Sequence, residues 1–120
     1  MVFFAQGKIH EFRGEYEEAI SDFQKQLELS PTKVSAYRFI GRCYRKLKDY
    51  DEAEEYLQRS LKIHPFGPST NYELALLYSD MGEAEKALEH LQATLDVWKN
   101  ADPEYKPAKL AREKLAELQS

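Results

Sequence analysis

Apolar residues recur along most of the chain three and four positions apart, the spacing of one helix face rather than the alternation of a strand. Tyr37, Ile40, Tyr44 and Leu47 make one such stripe, and Ala53, Leu57 and Leu61 make the next. The stripes themselves repeat. A shift of 34 residues lays Gly7 on Gly41 with Ala75 in the same column, Tyr16 on Tyr50, and Pro31 on Pro65. Ala19, Ala53 and Ala87 form an unbroken column, as do Leu27, Leu61 and Leu95, and Leu29, Ile63 and Val97 align just before the prolines. A period of this length marks a helical-repeat array. The pattern predicts helices over 2–13, 16–29, 34–47, 50–63, 70–81 and 84–99.

Helices with one apolar stripe bury it by packing as antiparallel pairs. Gly41 and Ala53 are expected at a crossing point, where missing side-chain volume lets two backbones approach. Pro31 and Pro65 stop the second helix of a pair, because proline lacks the N–H and disfavours helix in the residue before it. Thr70-Asn71-Tyr72-Glu73 reads as a capping box opening the third pair. After residue 101 the period breaks. Asp102-Pro103 is a start signal for a further helix and Pro107 a second one, and Ala108, Ala111, Leu115 and Leu118 give that helix a single apolar stripe. Such a helix suits the end of a solenoid, where one face must be polar. At the other end Val2, Phe3 and Phe4 open the first helix abruptly, which points to a missing upstream helix, an excised array or an oligomer contact.

These columns resemble the tetratricopeptide repeat: an aromatic, Leu-Gly, Tyr, Ala, an aromatic or Leu, and a closing Pro. The second repeat carries Tyr37, Ile40-Gly41, Tyr44, Leu47, Tyr50, Ala53, Leu57, Leu61 and Pro65. The first carries Phe3, Gly7, Tyr16, Ala19, Phe23, Leu27 and Pro31, with Gln6 and His10 where Leu and Tyr are usual. The third carries Leu74-Ala75, Tyr78, Gly82, Ala87, Leu91 and Leu95, with Asn71 for the opening aromatic and Lys99 for the proline. The resemblance covers residues 1–101. It implies an all-α fold, a right-handed superhelix (an α-solenoid) of three helix-turn-helix repeats and a capping helix. The chain would then be one domain, divided into repeats at 1–33, 34–67 and 68–101 and a cap at 102–120.

Composition narrows the field. With 17 basic and 21 acidic residues the net charge is −4, against a general nucleic-acid binder, whose affinity rests on neutralising phosphates. No apolar run reaches the length of a membrane span, and the N-terminal residues do not form a signal-peptide core. One cysteine cannot staple the chain, and with no signal peptide it leans toward the cytoplasm. His10, His64 and His90 show no metal-ligand spacing and read as packing or helix-end residues. Cys43 reads as a small buried hydrophobe. Gly67-Pro68 and Gly82 are turn glycines rather than a phosphate loop. Glu17-Glu18, Asp51-Glu52 and Glu54-Glu55 are assigned to helical first turns, where they complement the dipole. Tyr16, Tyr37, Tyr44, Tyr50 and Tyr78 fall in columns the repeat fills for packing. The expectation is a protein with no catalytic residues, metal or cofactor.

Charge is segregated in the middle repeat. Residues 38–48 hold Arg38, Arg42, Arg45, Lys46 and Lys48 and no acid, and residues 49–55 hold Asp49, Asp51, Glu52, Glu54 and Glu55 and no base. Arg38, Arg42 and Arg45 lie on one helix face. In tetratricopeptide arrays the first helix of each pair lines a concave groove. The resemblance therefore implies a groove offering Phe4, Ala5 and Lys8 from the first helix, Arg38, Phe39, Arg42 and Arg45 from the third, and Tyr72, Glu73 and Leu76 from the fifth. Its bland counterpart is that the arginines are solvated residues pairing with neighbours such as Glu73. The carboxylate clamp of co-chaperone members is absent: its positions hold Phe4, Lys8, Phe39, Ser69 and Glu73.

The expected function is a non-enzymatic scaffold that binds an acidic, partly apolar protein segment in the groove. The alternative is self-association, as a homo-oligomer, through the uncapped N-terminal helix of a larger bacterial signalling or regulatory protein. That host is suggested by Leu95-Asp96-Val97-Trp98-Lys99-Asn100-Ala101-Asp102-Pro103, which resembles the end of tetratricopeptide tracts appended to such proteins. An RNA-reading repeat has only the Arg38–Lys48 basic run in its favour, so no nucleic-acid or membrane partner is expected.

Overall fold

A computed structural model describes residues 2–120. Among the described residues there are seven helices and no strand: α1 Val2–Phe12, α2 Tyr16–Leu29, α3 Val34–Lys46, α4 Tyr50–Ile63, α5 Pro68–Asp80, α6 Ala84–Trp98 and α7 Lys106–Gln119. They fall into two compact units, divided after His64. In the first unit α1 packs on α2, α2 on α3 and α3 on α4; in the second α5 packs on α6 and α6 on α7.

The turn closing each first helix is built the same way three times. Gly14, Lys48 and Gly82 stand 34 residues apart, and all three adopt left-handed backbone, with φ of 77°, 65° and 78°. The next residue's N–H then reaches back to a carbonyl in the last helical turn: Glu15 to His10, Asp49 to Tyr44 and Glu83 to Tyr78, at 2.8–2.9 Å. This is the six-to-one bond of a Schellman motif, which satisfies otherwise orphaned carbonyls and turns the chain into the second helix.

The first unit's core gathers Ala19, Ile20, Phe23, Phe39, Ile40 and Cys43, with Phe4, Tyr16, Leu27, Tyr44 and Tyr56 packed around them. Gly41 lies at the α3–α4 crossing, as expected: a Cβ there would stand 2.6 Å from Leu57 Cγ and 3.2 Å from the Ala53 carbonyl oxygen. Gly7 does the same for α1 and α2, with a Cβ 2.6 Å from the Phe23 ring. Across each pair a second contact recurs in one pair of columns with changing chemistry. His10 Nδ1 meets Asp22 Oδ2 at 2.6 Å, Tyr44 stacks on Tyr56 at 5.7 Å, and Tyr78 stacks on His90 at 5.4 Å. Burial raises the Tyr44 pKa, with Tyr56, Glu52 and Asp49 adding to it, and burial lowers that of His90. Asn71 Nδ2 donates to the Gly67 carbonyl, which leaves its Oδ1 to accept from His90 Nδ1 at 2.8 Å.

The structure corrects three local expectations. Helix α5 begins at Pro68 with Gly67 as its N-cap, two residues ahead of the Thr70–Glu73 box, so Thr70 and Glu73 lie buried inside the helix. Proline at the first helical position loses only an N–H that was unpaired anyway, and its fixed φ already fits the helix. Asp102-Pro103 forms a turn, with the Glu104 N–H on Asp102 Oδ1 at 2.8 Å, and α7 starts at the second signal, Lys106-Pro107. Glu54 and Glu55 lie beyond the first turn of α4, and Glu55 pairs with Arg59 one turn on at 2.7 Å. In the second unit Ala111, Leu115 and Leu118 of α7 pack with Ala75, Leu91, Leu95 and Trp98.

Candidate protein-binding surface

The basic face of α3 takes its position from the apolar ones. Gly41 and Tyr44 meet Leu57 and Tyr56 of α4, Phe39 meets Phe23 of α2, and Ala36, Ile40 and Cys43 are buried. Arg38, Arg42 and Arg45 take the remaining side and are partly exposed. Beside them α1 presents Phe4, half-buried, and Lys8, exposed.

These residues meet over an aromatic floor. The Phe4 ring stacks on Phe39 with centroids 5.5 Å apart and meets Phe23 edge-on at 5.7 Å. Four cations surround the two outer rings. The Arg38 and Arg42 guanidinium carbons lie 4.6 and 4.5 Å from the Phe39 centroid. Lys33 Nζ is 4.3 Å from the Phe4 centroid, and Lys8 Nζ is 5.8–5.9 Å from both. A cation over a ring face gains from the ring quadrupole, so the aromatic floor helps hold the cations in place. Arg42 is also fixed by a carboxylate: its Nε donates to Glu11 Oε2 and its Nη2 to Oε1 at 2.7 Å. This two-point geometry ties α3 to α1.

Two of the groove residues expected from sequence are placed differently. Phe39 is 7% exposed and belongs to the core. Successive helix residues are about 100° apart, so the neighbour of Arg38 turns inward toward α2. Glu73, one period further on, is likewise only 6% exposed and does not present a carboxylate to solvent. Tyr72 packs with the Ala75–Leu91–Ala111 cluster of the second unit, and Leu76 is partly exposed on the same helix. Ala5 is exposed on α1.

Two participants were not singled out in the sequence. Glu11 lies one turn beyond Gly7 on the side of α1 that carries Phe4, and that spacing could have found it. Lys33 comes from the residue preceding α3, and no period marks it. Among the described residues no cluster of His, Cys, Asp and Glu could hold a metal ion, and no helix is long and apolar enough to cross a membrane.

Several solved structures share this fold. The type III secretion translocator chaperone SycD of Yersinia enterocolitica superposes with a TM-score of 0.86 at 17% identity, over 98% of this chain and 81% of that one. PcrH of Pseudomonas aeruginosa gives 0.87 at 16% identity, over 98% and 89%. MamA gives 0.75 at 26% identity, over 95% and 67%. No curated protein sequence matches the chain. Two models described as tetratricopeptide repeat match it, one over residues 2–65 and the other over residues 72–101. With the 34-residue columns, the glycine crossings and the thrice-built turn, the chain belongs to the tetratricopeptide repeat family.

Proposed function

We propose that the protein is a non-enzymatic interaction scaffold whose α1–α3 surface binds an acidic, partly apolar segment of a partner protein. The observation that carries this reading is the cluster of Lys8, Lys33, Arg38 and Arg42 around the Phe4 and Phe39 rings. Cations offer charge-assisted hydrogen bonds to carboxylates, and the exposed part of Phe4 offers apolar contact between them. Arg45, on the same side of α3, extends the basic strip by a turn. SycD has been solved in complex with a peptide of the translocator YopD, and PcrH in complex with the chaperone-binding region of PopD, so this fold does bind polypeptide segments in other proteins.

The test has to spare Arg42. Its replacement by Glu would set two carboxylates together at Glu11 and confound binding with stability. Arg38→Glu is the better probe. Fluorescence anisotropy with a short labelled peptide alternating Glu with Leu and Phe should show binding that weakens about tenfold or more in Arg38→Glu, with unchanged far-ultraviolet circular dichroism. Added salt should weaken the wild-type complex and narrow the gap. Equal affinity of both proteins would remove the proposal.

A further inference from the structure

The side of α1 turned away from the core carries its own apolar stripe. Val2, Ala5, Ile9 and Phe12 are three and four residues apart and align along one face of the helix. Val2 is 66%, Ile9 51% and Phe12 93% exposed, and Ala5 is exposed too. The opposite side, with Gly7 and Glu11, meets α2 and α3.

The repeat shows what such a stripe is for. Val2, Ala5 and Ile9 occupy the columns that hold Ala36, Phe39 and Cys43 in α3. Those three are buried there, and α2 closes the face, with the Phe23 ring 5.5 Å from Phe39. Among the described residues nothing covers the equivalent face of α1.

Charge indicates the chemistry of a cover. Glu11 points away from the stripe to Arg42, and His10 is held by Asp22. The borders of the stripe are Lys8 on one side and Gln6 and Arg13 on the other, basic or neutral throughout. The helix that closes the corresponding face of α3 is acidic: α2 carries Glu17, Glu18, Asp22 and Glu28 against Lys25.

We propose that the outer face of α1 docks an acidic amphipathic helix of a partner protein, seated on Val2, Ala5 and Ile9 as α2 is seated on α3, with Phe12 extending the stripe by one turn. A second copy of α1 is the poorer occupant. Paired antiparallel about a two-fold axis, two α1 helices would bring Lys8 toward its own copy, and like charges across a helix pair repel. This surface is separate from the Arg38–Arg42 strip and does not depend on it; Lys8 alone borders both.

The test uses the full chain and a labelled peptide with the sequence of residues 16–29. A hydrocarbon staple on its outer side holds the helix, because an isolated helix of this length is marginal. A second peptide carries Glu17→Lys, Glu18→Lys and Glu28→Lys. By fluorescence anisotropy the acidic peptide should bind, and the charge-inverted one should bind about tenfold more weakly or worse. Ile9→Glu in the protein should weaken the acidic peptide by about tenfold or more, Phe12→Ser should weaken it too, and the loss caused by Ile9→Glu should be the same size when Arg38→Glu is already in place. Ile9 and Phe12 are exposed, so circular dichroism of both variants should match wild type. No binding at millimolar peptide, equal binding of the two peptides, or binding indifferent to Ile9→Glu each overturns the proposal. A dimer in sedimentation velocity that Ile9→Glu dissociates also overturns it, because the face then belongs to a second copy.

Discussion

Helices α1 and α3 hold the same place in successive repeats, and their columns correspond residue by residue. Each crosses the following helix at a glycine, Gly7 and Gly41, and each ends in a left-handed residue, Gly14 and Lys48. Their surroundings differ. α3 is packed between α2 and α4, whereas α1 leaves Val2, Ile9 and Phe12 in solvent. A repeat sequence therefore specifies which columns seek burial, but the neighbour decides whether they get it. The same column can hold an exposed residue in one repeat and a core residue in the next.

The sharpest way to break that comparison is to shorten one aromatic ring on each helix. Phe39→Ala removes a ring that touches Phe4 and Phe23 in a closed core, and should cost about 3–5 kcal/mol in urea denaturation. Phe12→Ala removes a ring that is 93% exposed, and should change stability by no more than about 0.5 kcal/mol. A comparable loss in both would mean that the α1 face is covered in the isolated chain.

The glycine crossings give a smaller and subtler contrast. A Cβ at either site meets its neighbour at 2.6 Å, so both Gly41→Ala and Gly7→Ala should destabilise. Gly41 also faces the backbone oxygen of Ala53, which cannot turn aside as a side chain can, and α3 is held from both flanks. Gly41→Ala should cost about 1–3 kcal/mol, and Gly7→Ala less, because α1 has open solvent behind it and can move outward. A larger cost at Gly7 would show that the Phe23 ring, locked among Phe4 and Phe39, is the stiffer obstacle.

These differences also explain what could be read beforehand. The period, the helix spans and the Gly41 crossing were legible because steric demands at single positions write them into each repeat. Gly41 must lack a Cβ and Pro31 must follow a helix, whatever surrounds them. The start of α5 was misread because the Thr70–Glu73 pattern was followed and Pro68, two residues earlier, was not. The basic strip was legible from the spacing of Arg38, Arg42 and Arg45, but its floor was not. Phe39 was expected in the groove together with Arg38, although one residue along a helix is a turn of about 100° into the core. Glu73, in the same column, went the same way. The Arg42–Glu11 pair spans 31 residues between two different columns, so no comparison of repeats could reveal it.

The smallest effect concerns the turn that ends each helix. Gly14 at the end of α1 has φ of 77°, and Lys48 at the end of α3 has φ of 65°. The hydrogen bonds around the two residues match: Gly14 N–H to Glu11 and Glu15 N–H to His10 in one, Lys48 N–H to Arg45 and Asp49 N–H to Tyr44 in the other. The motif is therefore complete in both, and they differ only in the Cβ that Lys48 must carry in a region where it crowds the following carbonyl. That crowding costs about 1–2 kcal/mol, while a glycine returns part of the gain through its freer unfolded chain. Lys48→Gly should accordingly stabilise the protein by about 0.5–1 kcal/mol and raise the melting temperature by a few degrees, whereas Gly14→Ala should lower it by a similar amount. If Lys48→Gly is neutral or destabilising, contacts of the lysine stem outweigh its backbone strain, and the ends of α1 and α3 are not equivalent after all.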